Sequence, residues 1–167
     1  VKTALERFGG VDVLVNNAGI LRDKTLLKMD EQMWDAVMAV HLRGTFLCTR
    51  AAATEMRARG GGSVINTTSV SGMLGNFGQA NYAAAKAGIY GFTRTASIEL
   101  ARHAPAALCV ALHPGTVATA LSAPFSANGL EVHTPRAAAF HLLGVIDRLD
   151  VRASGGFHDW RGNVVPW

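Results

Sequence analysis

Tyr82 and Lys86 stand four residues apart in a stretch whose periodicity predicts a helix over about 81–102. At that spacing the two side chains share one helix face, a turn apart. An ammonium beside a phenol favours the phenolate and lowers tyrosine from its usual value of about 10. A phenol so tuned can give a proton to a carbonyl oxygen or take one from an alcohol. The pair alone is equally what an exposed helix face presents. Ser69 adds a second element. It lies thirteen residues before Tyr82, at the end of a predicted strand, where a hydroxyl can share a substrate oxygen with the phenol and hold it in line. The plainer alternative is that Ser69 ends the strand, as Thr67 and Thr68 could. Ser-His-Asp hydrolase chemistry is disfavoured, because no Gly-x-Ser-x-Gly elbow occurs and Ser69 follows two threonines.

The elements that must position these residues follow from the apolar pattern. Val1 to Phe8 reads as the last turns of an amphipathic helix with Ala4, Leu5 and Phe8 on one face, stopped by Gly9-Gly10. No capping residue opens it, so the chain is expected to be the C-terminal portion of a longer domain. Val11 to Val15 suits a strand buried on both faces. A long helix is predicted from about Glu31 to Arg59, on Val37, Val40, Gly44, Leu47 and Ala51, and is ended by Gly60-Gly61-Gly62. Ser63–Thr67 is the next strand. A Gly-rich loop leads to the helix of Tyr82, and Ala107 to Leu112 forms a third strand. Thr134-Pro135 is a helix start, Thr as N-cap and Pro at the first position, for a helix to about Asp147. Gly155-Gly156-Phe157 and Val164-Val165 supply a last short strand or an extended tail. The alternation of strands and helices predicts an α/β fold, a three-layer doubly wound parallel sheet. Asn16-Asn17, Thr67-Thr68-Ser69 and Pro114-Gly115-Thr116 each follow a strand, at the sheet edge where such folds bind ligands.

The composition is consistent with one buried core. The chain has 167 residues, of which 49% are hydrophobic and only 17% charged, against roughly 25% charged in typical domains. The net charge is +4, but the arginines at 43, 50, 57, 94, 136 and 152 are scattered singly, which argues against a nucleic-acid surface. Cys48 and Cys109 sit inside apolar runs, so a disulfide scaffold is not expected and a reducing, cytoplasmic compartment is. No apolar run approaches the ~18 residues that a membrane span needs. No metal site is expected.

Together these residues resemble the short-chain dehydrogenases/reductases. Asn16-Asn17-Ala18-Gly19 after a strand is similar to that family's sheet-stabilising motif. Ser69, Tyr82 and Lys86 are similar to its catalytic trio, and Pro114-Gly115-Thr116-Val117-Ala118-Thr119 to its Pro-Gly segment beside the nicotinamide. The resemblance covers essentially the whole chain and implies a Rossmann-like sheet ordered 3-2-1-4-5-6-7, of which strands 4 to 7 are present here. It implies NADP or NAD as cofactor, a small carbonyl or alcohol substrate, and a homo-oligomer paired through the two long helices, with Leu47, Ala51, Ile89 and Phe92 facing outward. Tyr82 would be the general acid/base. Lys86 would bind the nicotinamide ribose and depress the Tyr82 pKa, and Ser69 would orient the carbonyl. Asn17, Ala18 and Gly19 would pass under the cofactor. Pro114 and Gly115 would lie beside it, with Val117 and Thr119 contacting its amide and phosphates.

Two departures stand out. The family's usual fourth catalytic residue is an Asn at the position of His41, where it holds a water in a proton relay from the lysine. Val40-His41-Leu42-Arg43-Gly44 is similar instead to the dehydrogenase domain of peroxisomal multifunctional beta-oxidation enzymes. His41 fits either that relay or a packed, hydrogen-bonded structural role. The Gly-rich phosphate loop Thr-Gly-x-x-x-Gly-x-Gly is absent from these residues, so they alone are expected to be inactive. Gly75 to Tyr82 and Ile20-Leu21-Arg22-Asp23 resemble 3-oxoacyl-thioester reductases, whereas the tail is similar to the C-factor-like branch. The short segment from Leu121 to His133, which usually caps the substrate, implies an open pocket. The resemblance thus implies an oxidoreductase acting on a ketone or secondary alcohol. The alternative is a non-catalytic nucleotide-binding or signalling protein of the same fold, or an inactive truncated form.

Overall fold

The computed structural model of the chain describes residues 1–123, 129 and 131–166. Four strands form one parallel sheet: β1 (Val13–Asn16), β2 (Ser63–Thr67), β3 (Leu108–His113) and, further along the chain, β6 (Phe157–Asp159). Their spatial order is β1-β2-β3-β6. β4 (Thr116–Val117) and β5 (Val132–His133) make a separate two-stranded ladder. The helices are α1 (Lys2–Phe8), α2 (Glu31–Met38), α3 (Gly44–Ala58), α4 (Ser71–Leu74), α5 (Ala80–His103) and α6 (Pro135–Ile146). Among the described residues no helix is long and apolar enough to cross a membrane.

Alternation along the strands divides the core into two layers. Val64 and Cys109 point toward α3 and α5, where they pack with Ala52, Met56, Ala96 and Leu100. Ile65, Leu108, Val110 and Leu112 point to the other face and pack with Val145, Leu142 and Ile146 of α6. The three-layer parallel architecture is therefore the one the sequence implies. Thr134 caps α6 as expected, its hydroxyl accepting from the Ala137 N–H at 3.1 Å, with Pro135 in the first turn.

Several expectations need correction. The strand at Val11–Val15 starts later and is covered on one face only: Leu14 packs into the α3/α5 layer, while Val13 and Val15 are 58% and 56% exposed. Val15 pairs with Ile65, on the α6 side, and α6 does not reach over β1. The apolar face expected of α1 is only partly covered, with Ala4 and Leu5 half-buried and Phe8 83% exposed. Ile89, expected to face outward, is 2% exposed. It lies on the inward stripe of Lys86, Thr93 and Ala96 at three- and four-residue intervals, and the large apolar side chains that α3 and α5 do expose are Phe46, Leu47 and Ile98. The helix predicted from Glu31 is interrupted by a π-helical segment at Ala39–Arg43, where the Gly44 N–H donates to Ala39 O. The Gly-rich loop contains the unexpected α4, set against α5 backbone to backbone: a Cβ on Gly72 would lie 2.7 Å from the Ala87 nitrogen. Of the expected substrate cap, residues 124–128 and 130 lie outside the described residues, as does Trp167 at the end of the tail.

Candidate active site

A buried polar ladder holds the sheet to α5 beneath the site. Asn16 and Asn66 are register partners, and the Asn16 amide donates to Asn66 Oδ1 at 2.8 Å and to Thr49 Oγ1 at 3.0 Å. Asn66 in turn donates to Thr93 Oγ1 at 2.9 Å. With every amide partnered, the ladder stabilises one register of β1, β2 and α5. The strand residues following it open at the carboxyl edge of the sheet.

There the first turns of α5 bring the expected residues together. The Ser69 hydroxyl, which accepts from the Ser71 N–H at 3.2 Å, is close enough to the Tyr82 phenol to lower its pKa. The Lys86 Nζ lies 5.5 Å from the Tyr82 ring centre and donates to Thr67 O at 2.8 Å. Thr68 Oγ1 closes the other side by donating to Lys86 O at 2.9 Å. His41 meets the Tyr82 ring edge to face, with 5.3 Å between centroids. A shallow cavity of about 170 Å³ adjoins them, lined in part by Ser69, Met73, Lys86 and Phe157.

The electrostatics differ from the sequence expectation in one respect. Burial pushes the Tyr82 phenol above its usual 10.0, the Ser69 hydrogen bond offsets part of this, and the charge of Asp23 raises it further. Lys86 does not bring it below the ordinary value, because the lysine is itself buried and is pushed down to about 8.

His41 is placed by the π-helical segment, a feature that recurs at functional sites. It is 1% exposed, and its ring fills the space beside Gly19, where a Cβ would lie 2.7 Å from Cε1. Its Nε2 faces both backbone groups of Ile20, the N–H at 3.0 Å and the C=O at 2.8 Å. One ring nitrogen serves one of these at a time, according to tautomer; an asparagine amide carries a donor and an acceptor and could serve both. Nδ1 is buried without a hydrogen-bond partner. Burial lowers this histidine to about 4, against the opposing effect of the Ile20 bond and with a smaller contribution from Lys86, so it is neutral near pH 7.

A pH dependence of stability follows. Unfolded, His41 takes up its proton near pH 6.5; folded, near pH 4. Between those values the unfolded chain binds more protons. The contribution is therefore complete above pH 6.5 and is lost as the pH falls toward 4. The loss amounts to about 3 kcal/mol at the acid end. Urea unfolding across this range is expected to show a steeper loss in wild type than in His41→Asn. Parallel curves for the two would contradict the assignment.

The remaining expected residues are arranged around this centre. Asn17 and Ala18 are exposed just beyond β1, with Gly19 half-buried behind them. Pro114 and Gly115 leave the end of β3, and Val117 and Thr119 follow in and after β4, with the Thr119 N–H donating to Ser122 Oγ. The strand that leads into this segment is tied to the site by the Thr68 N–H, which donates to Leu112 O at 2.9 Å. No role was assigned from sequence to Asn81, which is fully buried and donates to Arg22 O at 2.9 Å and Met33 O at 3.2 Å while accepting the Tyr82 N–H at 2.8 Å. Nor was one assigned to Gln79 or Asp23, which are hydrogen-bonded to each other. The sequence signal for these three is their place in the two segments that resemble 3-oxoacyl-thioester reductases, which singles out none of them.

Known proteins share this sequence pattern and fold. The chain is 47% identical over 137 residues to a 3-oxoacyl-[acyl-carrier-protein] reductase of Synechocystis sp., covering 82% of this chain and 55% of that protein. It is 50% identical over 119 residues to a peroxisomal hydratase-dehydrogenase-epimerase of Neurospora crassa, covering 71% of this chain and 13% of the relative. It thus spans about half the length of the first relative and a small part of the second. The crystal structure of an NADPH-bound carbonyl reductase from chicken fatty liver superposes with a TM-score of 0.84 at 28% identity, over 99% of this chain and 70% of that one. The short chain dehydrogenase family model matches residues 1–129. That span carries Ser69, Tyr82 and Lys86 on the strands and helix that bring them together, and the chain belongs to the short chain dehydrogenase family.

Proposed function

We propose that the protein is an NAD(P)-dependent oxidoreductase that interconverts a ketone and a secondary alcohol, with 3-oxoacyl and 3-hydroxyacyl thioesters as the substrate class. The observation that carries this reading is the buried Lys86 ammonium 5.5 Å from the Tyr82 ring centre, one helical turn away, with Ser69 at the neighbouring strand end. The thioester class is supported by the name of the Synechocystis relative, a 3-oxoacyl-[acyl-carrier-protein] reductase, and NADPH by the ligand of the carbonyl reductase.

The residues fit a nicotinamide nucleotide. Lys86 and Tyr82 present a cation and a hydroxyl side by side, the donor set that suits ribose hydroxyls. Asn17 and Ala18 lie open at the strand end, and Pro114, Gly115, Val117 and Thr119 line the same edge of the sheet, where open α/β sheets bind ligands. The bound cofactor supplies the hydride. Tyr82 transfers a proton at the substrate oxygen, and Ser69 holds that oxygen in line. A phenol kept protonated by burial suits the reducing direction, in which it acts as the acid. Lys86 holds the ribose. His41 anchors the turn after Gly19 through the backbone of Ile20.

Supplying the protein with a 3-oxoacyl thioester and either NADPH or NADH tests the reading by loss of reduced-nicotinamide absorbance. Turnover of the thioester supports it; absence of turnover of both thioesters and simple ketones, with either cofactor, overturns it. We further propose that these residues form part of a single dinucleotide-binding domain. A homo-oligomer is supported by the exposed Phe46, Leu47 and Ile98 on α3 and α5, and a cytoplasmic setting by the free Cys48 and Cys109.

The 167 residues alone are expected to hold the cofactor weakly. They contain no Gly-rich phosphate loop, and each charge-assisted hydrogen bond so forgone is worth roughly 1.5–3 kcal/mol. Titration followed by cofactor fluorescence should show no saturation in the micromolar range. Saturable micromolar binding would show that the phosphate cradle matters little.

A further inference from the structure

Tyr82 sits in the first turn of α5, where backbone N–H groups find no carbonyl within their own helix. The cap residue, Gln79, offers no acceptor, because its side chain is engaged by Asp23 at 2.8 Å and by Asn76 at 2.9 Å. Asn81 supplies one instead. Its Oδ1 accepts the Tyr82 N–H at 2.8 Å, while its amide donates to Arg22 O at 2.9 Å and to Met33 O at 3.2 Å. The side chain is 0% exposed. Three segments therefore meet at one buried amide: the loop that follows Gly19, the first turn of α2, and the start of α5. A second strap joins the same loop to the Tyr82 ring. His41 meets that ring at 5.3 Å between centroids, and its Nε2 lies within 3.0 Å of the Ile20 N–H and C=O.

We propose that Asn81 is a positioning residue for Tyr82: it binds the tyrosine's own backbone to the loop after Gly19 and to α2, and so holds the phenol at one place in the site. The proposal takes Tyr82 as the proton-transfer group, and so rests on the function proposed above. The residue type is what the junction requires. A primary amide carries an acceptor and two donors on one short side chain, and here it faces one N–H and two carbonyls. A carboxylate would set a second oxygen against the two carbonyls, and an apolar side chain would leave all three backbone groups without their partner. Lys86 fastens α5 one turn further on, donating to Thr67 O at 2.8 Å and accepting at its own carbonyl from Thr68 at 2.9 Å. Asn81 fastens the preceding turn, the one that carries Tyr82. Ser69 lies on the other side of the site, at the end of β2, and does not move with α5. A shift of that first turn therefore changes the distance from phenol to substrate oxygen. Proton transfer needs these atoms within about 2.6–3.2 Å, and a misplacement of about 1 Å can cost 10²-fold in rate.

Asn81→Ser shortens the side chain so that it no longer spans to Arg22 and Met33, without burying a charge. Asn81→Asp, which keeps the volume and an oxygen for the Tyr82 N–H, answers the same question if the serine variant does not fold. Rates are taken on protein shown to be folded by circular dichroism, with 3-oxoacyl thioester and NADPH. The kcat is expected to fall about 10- to 100-fold, with KM for thioester and for cofactor within about twofold of wild type. A residue that only stabilises the fold would lower the urea midpoint and leave kcat intact, and that result overturns the proposal. A raised KM at unchanged kcat, marking a binding role, overturns it too. The Asn81→Ser/Tyr82→Phe double variant completes the cycle. With the positioned hydroxyl gone, losing Asn81 should slow Tyr82→Phe by no more than about twofold, whereas fully multiplied losses would show that Asn81 acts elsewhere. Near-normal turnover by Tyr82→Phe alone refutes the catalytic reading. A slow Tyr82→Phe beside an unimpaired Asn81→Ser refutes only the positioning role, so the two failures are distinguishable.

Discussion

Tyr82→Phe is expected to lower turnover at least ~10²-fold, the loss characteristic of a removed general acid. Affinity for the cofactor should change little. The phenyl ring keeps its edge contact with His41 and its place beside Lys86, since neither uses the hydroxyl. What disappears is the phenol hydroxyl beside Ser69, the group assigned to proton transfer. Ser69→Ala should also slow the reaction, but less, because it removes an orienting hydroxyl and leaves the proton donor in place. Under the assay proposed above, the signature of Tyr82→Phe is a fall in kcat without a matching rise in KM. Near-normal turnover in the variant would sink the assignment of Tyr82, whatever the fate of Ser69 or Lys86.

The largest expected effect on stability comes from Phe157→Ala, at about 3–5 kcal/mol. Phe157 is 1% exposed and joins β6 to the sheet by pairing with Ala111. Its ring lies 5.5 Å from that of Tyr90. It also walls the cavity of about 170 Å³ beside Ser69 and Lys86. Truncation would merge the lost volume with space already present, so the surroundings have little to collapse onto, and the cost belongs toward the upper end of the range. In urea the midpoint should fall with the slope unchanged, marking lost stability and not altered compactness. A cost below about 1 kcal/mol would show that the end of β6 repacks freely. The same substitution widens the wall under Lys86, so a change in activity at temperatures where the variant remains folded would report on how firmly that wall holds the lysine.

Much of this protein is legible in local patterns. The apolar periods separate strands from helices, Thr134-Pro135 marks the start of α6, and a four-residue spacing places Tyr82 and Lys86 on one face. These are properties of the backbone within one or two turns, so the sequence alone determines them. The π-helical segment at Ala39–Arg43 leaves no such trace, since one altered hydrogen bond barely disturbs an apolar stripe averaged over a long helix. The exposure of Val13 and Val15 depends on how far α6 reaches across the sheet, and the burial of Ile89 on which stripe of α5 the sheet takes. The acidity of Tyr82 is decided the same way. Spacing puts a lysine beside it, but only the tertiary structure buries both and brings Asp23, distant in the chain, into Coulombic reach. Spacing along a helix is set by its pitch, whereas burial and electric field are sums over everything the folded chain brings close.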